Sequence, residues 1–189
     1  MHAPFKRHPP INLGTFRVEP GQIVASDPSC DLLMLDTPHC HQLEVLSGEW
    51  RATSIRHECE HMDVNVIRCA ELIAHHKDST AKAWDCTNWC VSIDTGQAGF
   101  FDSTCFCNNA TVPADVLARF QTSVTYDNER PWYSYCCEMT TAHHASTING
   151  GVVSNAGFGD GAAMLYTQSG RKKQILGLRL VFIDEQGNG

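Results

Sequence analysis

The feature that most restricts the fold is a two-residue rhythm in the stretch 50–61. Ala52, Ser54 and Arg56 fall on one face, and Thr53, Ile55 and His57 on the other. Successive side chains of an extended chain point to opposite sides, so this alternation reads as a β-strand. Similar runs recur, most of them ended by Gly or Pro. Residues 15–19 and 22–26 flank Pro20-Gly21, and 43–46 precedes Ser47-Gly48. Residues 91–94, Thr95-Gly96 and 97–102 read as strand, tight turn, strand. Three more strand-like runs close the chain at 151–154, 162–167 and 175–183. Two segments are ambiguous. Residues 30–36 are an apolar run that fits strand or helix. In 64–76, Val64, Val66 and Ile67 favour a strand, while Cys69, Leu72, Ile73 and His76 also fit a helical stripe; the first half reads as strand.

Helices are few. Residues 113–120 carry the clearest start, with Thr111 as cap, Pro113 in the first turn and Asp115 at the positive end of the dipole. Residues 132–140 suggest a second short helix. Strands and helices do not alternate along the chain, which argues against a parallel nucleotide-binding sheet. The expectation is a mainly β (α+β) fold, a single-domain β-sandwich or barrel-like sheet with one or two short helices. Residues 15–184 would form this domain, 1–14 an extended arm rich in Pro and His, and 185–189 a tail.

With 189 residues, such a domain buries enough surface to fold without disulfides or a metal. Its net charge of −7 disfavours nucleic acid and anionic membrane surfaces as partners. Pro9, Pro10 and Asn12 interrupt any apolar leader, and no run is long enough to span a bilayer. A cytoplasmic location is expected, where thiols stay reduced. The chain nevertheless has 10 Cys and 10 His. Three readings are open for the cysteines: buried free thiols, a zinc site using a few of them, or a disulfide set.

The segment His57-Glu58-Cys59-Glu60-His61 has the best transition-metal ligand types. On a strand, His57 and Cys59, or Cys59 and His61, share a face about 6.8 Å apart, but His57 and His61 would be about 13.6 Å apart. It offers two ligands at most, and no zinc-knuckle spacing accompanies it. Cys86 and Cys90 would share a helix face, with Trp84 and Trp89 suggesting packing, and Cys136 and Cys137 read as core.

Asp27, Asp94, Asp102 and Asp160 each end a strand-like run. An aspartate before Gly or Pro binds turn N–H groups, and Gly supplies positive φ. On that reading Asp160 to alanine costs about 0.5–2 kcal/mol. The functional alternative has Asp27, Asp94, Asp102 and Asp160, with Gly159, converging on one pocket. Clustered carboxylates could then hold a divalent cation, the one cofactor the sequence suggests, or divide acid and base roles. Gly157-Phe158-Gly159-Asp160-Gly161 lacks the spacing of a dinucleotide fingerprint and reads as a sharp β connection.

Three segments stand out in order: G-Q-I-V-A-S-D-P at 21–28, V-S-I-D-T-G-Q-A-G-F-F-D at 91–102, and G-V-V-S-N-A-G-F-G-D-G-A-A-M-L-Y at 151–166. Together they resemble a bacterial and phage family known as domain of unknown function four-two-four-one, or a close relative. The resemblance implies a β-rich cytosolic or phage-borne domain and no particular reaction. This chain has Ala162-Ala163 where that family tends to have Ser-Tyr. The leading expectation is a non-catalytic binding or interaction module whose partner is another protein or a second copy. A metal-assisted hydrolase using the aspartates is the second reading. A structural or assembly protein, its arm contacting a neighbour, is the third.

Overall fold

The computed structural model describes residues 6–35, 37, 39–61, 64–80, 83–120 and 129–184. Twelve strands among these form two antiparallel sheets. The strands are β1 (Lys6–Arg7), β2 (Ile11–Val18), β3 (Gln22–Ser26), β4 (His41–Glu44), β5 (Gly48–His61) and β6 (Val64–His76). They continue as β7 (Asp85–Ile93), β8 (Gln97–Asp102), β9 (Ala145–Ile148), β10 (Gly151–Asn155), β11 (Gly161–Ser169) and β12 (Ile175–Val181). The first sheet runs β1-β5-β6-β12-β11-β7, with β2 also on β5; the second runs β4-β3-β8-β10-β9. Two helices, α1 (Ala114–Phe120) and α2 (Pro131–His143), pack on the outer face of the second sheet.

The layers follow from the period of two. In the second sheet Ile23, Ala25, Phe100 and Val152 enter the core between the sheets. Their neighbours Val24, Phe101 and Val153 enter a second core beneath the helices, with Phe106, Phe120, Trp132 and Cys136. A sheet covered on both faces needs apolar residues at every position. This is why β8 is buried throughout its length. Such a three-layer sandwich is mainly β with two short helices, as the alternation and turns imply, and the sheets do not close into a barrel.

Several local expectations change. Residues 64–76 form one strand to the end, because β6 is held between β5 and β12 and sheet pairing overrides the helical stripe. The run 30–36 holds a short 3-10 turn at Leu32–Met34, capped by the Asp31 side chain on Leu33 N–H. The strands on either side of Thr95-Gly96 are not a hairpin: β7 belongs to the first sheet and β8 to the second. Thr111 closes the 3-10 turn Asn109–Thr111 instead of capping α1. Of the arm, residues 6–14 are extended but engaged, since β1 and the start of β2 pair with β5. Residues 1–5 and 185–189 lie outside the described residues.

The edge strand β7 is irregular. Its register against β11 shifts where Asn88 takes φ 60°. Beyond the shift, a ring nitrogen of His41 lies 2.8 Å from the Cys90 carbonyl, and the ring stacks on Trp89 with centroids 5.1 Å apart. Cys86, Cys90 and Trp89 are therefore exposed strand residues, not a packed helix face.

Candidate functional site

Asp27 follows β3 directly and is 1% exposed. Its Oδ1 accepts from Ser29 N–H at 2.7 Å. Its Oδ2 accepts from Asp94 N–H at 2.8 Å and Thr95 N–H at 2.9 Å. The Thr95 hydroxyl donates to the same carboxylate. This one buried group ties the S-D-P loop to the D-T-G turn. That turn in turn meets the G-F-G-D-G loop: Ala156 N–H donates to Gly96 O at 2.8 Å, and a Cβ on Gly96 would lie 3.5 Å from Gly159 Cα. Gly159 has φ 118°, a conformation suited to glycine alone. The three motifs thus share one end of the sandwich.

The aspartates divide by role. Asp102 is buried at the far end of β8, where it accepts from Glu19 N–H, Thr104 N–H and the Thr104 hydroxyl. Register places Asp102 opposite Ile23, so Asp27, four residues on, lies about 14 Å away. The two cannot share an ion. Asp94 and Asp160 are exposed, and the carboxylate of Asp160 has no partner among the described residues. The capping bond expected of Asp160 is not made. Among the described residues, no three His, Cys, Asp or Glu are arranged to hold a metal ion. His57 is buried. The side chains of Cys59 and His61 lie outside the described residues.

Next to the Asp27 clamp is a cleft of about 240 Å³. One wall is the loop Pro28, Ser29, Cys30, Asp31 and Leu32; the other is Cys107, Asn109 and the first turn of α2 with Arg130, Trp132 and Tyr133. Pro131 opens this helix where a missing N–H costs nothing. Asn109 Oδ1 accepts from Trp132 N–H at 3.1 Å. The Arg130 guanidinium lies 4.7 Å above the Tyr133 ring, a cation–π contact. Tyr133 is pushed up to about 12, first by burial and then by its contacts with Cys137, while its hydrogen bond to Thr95 acts the other way. Thr95 thus links the clamp to the cleft wall. In the sequence Pro28 belongs to the S-D-P motif, 30–36 reads only as an apolar run, and Trp132 and Tyr133 only as part of a short helix; none of these signals, and nothing at Arg130, marks a site.

The thiols facing the cleft are held protonated. Burial pushes Cys30 up, and pushes Cys107 up to about 12. Cys136, inside the helix-side core, is pushed well up by the same cause. No two of the nine described cysteines form a disulfide with each other. An unfolded chain ionises these thiols near their ordinary 9.0, before the folded chain does. Their stabilising contribution is complete below that pH and is lost as pH rises from there toward about 12. Urea midpoints measured across this window should fall, and Cys107→Ala should flatten the fall.

Comparison with known proteins finds no matching family model, no similar curated protein and no similar solved structure. None of the helices among the described residues is long and apolar enough to cross a membrane.

Proposed function

We propose that the protein is a non-catalytic binding module whose ligand site is the cleft between the Asp27-clamped loop and the start of α2. The observation that carries this reading is the composition of the walls. Tyr133, Trp132 and Leu32 supply aromatic and apolar surface, and among the described residues Arg130 is the single cation and Asp31 the single carboxylate of the lining. Pockets that bind small molecules combine an apolar body with few polar groups in this way. The groups that could react are held inactive. A neutral thiol is a poor nucleophile, and burial keeps Cys30 and Cys107 neutral. Asp27 is fully occupied by donors from its own loop and the facing turn. The volume suits a single ring bearing one acceptor directed at Arg130. Nine described cysteines with no disulfide among them support a compartment that keeps thiols reduced, such as the cytoplasm. The motif resemblance supports a bacterial or phage setting.

Benzoate and related monoaromatic carboxylates test the site by thermal shift. A saturable rise in Tm is expected for the native chain and should vanish in Arg130→Ala and in Ser29→Trp, which fills the cleft. A rise that survives both changes, or none at all in the native chain, overturns the reading.

A further inference from the structure

A second cleft lies on the face of the first sheet that points away from the helices. Ala52 on β5 and Ala74 on β6 are committed to the inter-sheet core. Their neighbours Arg51, Thr53 and His75 therefore point outward, and Arg51 pairs with His75 in register. The turn after β6 brings Lys77 and Ser79 alongside. These residues line a cleft of about 340 Å³.

Its described lining carries two cations and no carboxylate. Among the described residues neither Arg51 nor Lys77 has an ion-pair partner. Of the carboxylates nearby, Glu71 is engaged elsewhere. Glu71 takes Arg179 at 2.8 Å and Arg7 at 3.5 Å. Glu49 is opposite Arg17, which pairs with Glu19, and Asp78 donates its N–H to His76 Nδ1; these two carboxylates flank the cleft without lining it. Among the described residues Ser79 Oγ is buried without a hydrogen-bond partner. Buried polar atoms are ordinarily paired, so an orphan donor beside two free cations needs an explanation. His75 is directed by Gln168 Oε1 at 3.1 Å, and its ring lies 5.3 Å from that of Trp84.

We infer that this cleft binds a tetrahedral oxyanion, the phosphate or sulfate group of a small ligand. Arg51 offers a planar fork of donors, Lys77 a point charge, and the Thr53 and Ser79 hydroxyls two further donors. Charge-assisted bonds of this kind are the strong ones. Trp84 continues the wall beside His75 with an aromatic surface for the organic part of the ligand. The chain as a whole carries −7, so its overall field does not gather anions, and recognition depends on this local donor set.

The test is a titration of the isotopically labelled full chain with inorganic phosphate, then sulfate, at fixed ionic strength. Saturable amide shifts are expected at Arg51, Thr53, Lys77 and Ser79. Arg51→Ala and Lys77→Ala should each weaken binding about tenfold. Both side chains are exposed, so the melting curve should stay unchanged. Lys172→Ala on the exposed turn before β12, and Arg130→Ala in the other cleft, should leave phosphate binding intact. The absence of saturable shifts at millimolar phosphate, or equal weakening by Lys172→Ala, overturns the proposal. Ser79→Ala reports on the orphan hydroxyl: weaker binding with unchanged stability supports its role, and unchanged binding removes it.

Discussion

Replacing Asp27 with alanine is expected to lower the unfolding free energy by about 3–5 kcal/mol, near the top of the range for single changes. The size follows from what the carboxylate leaves behind. Ser29, Asp94 and Thr95 lose the acceptor for their N–H groups, and Thr95 also loses its hydroxyl acceptor. Asp27 is itself buried, and each unmet buried donor costs about 1–3 kcal/mol, more where the lost acceptor was charged. Urea unfolding at neutral pH measures the change. Asp160→Ala is the control: its carboxylate is exposed and has no partner among the described residues, so its unfolding free energy should move by no more than about 0.5 kcal/mol. Equal effects of the two substitutions would show that the clamp is not what holds the motif end together. Because Thr95 also contacts Tyr133, the Asp27 variant should lose benzoate binding even where it remains folded.

Trp132→Ala should cost about as much, roughly 3–5 kcal/mol, by leaving a cavity in a packed core. Trp132 is 2% exposed. Its ring meets Phe101 at 5.1 Å and Phe106 at 5.4 Å, both edge-on. These three rings join the second sheet to the helices, so the loss falls on the helix layer first. An increase in amide exchange across α2 that exceeds the increase in β5 and β6 would identify the layer. A uniform increase would mean that the two cores unfold as one.

The strands were legible because one period governs them. The alternation at 50–61 and the Gly and Pro breaks locate most of β5, β8, β10 and β11. Pairing was not legible. Thr95-Gly96 has the residues of a tight reversal whether the next strand returns to the same sheet or crosses to the other. Long-range pairing settles the matter: β8 lies between β3 and β10, while β7 pairs with β11. The aspartates show the same division. Binding to turn N–H groups was readable for Asp27 beside Pro28, but the same expectation fails for Asp94 beside Thr95-Gly96, whose carboxylate accepts no such bond among the described residues. The partners were not readable, because Asp27 reaches a turn 67 residues away and Asp102 reaches Glu19 across 83. The cleft draws on segments 28–32, 107–109 and 130–133, none of which carries a spacing that marks a site.

The irregular course of β7 bears on how copies of this chain behave in concentrated solution. A sheet edge with open N–H and C=O groups recruits further strands. Here the twist at Asn88 breaks the straight row of donors and acceptors, and the His41 ring occupies the carbonyl of Cys90. An incoming strand would have to unstack His41 from Trp89 before it could add one bond there. Removing that imidazole with His41→Ala should therefore bare a strand end flanked by Trp89 and two exposed thiols, and turn a guarded margin into a seed for fibrous association.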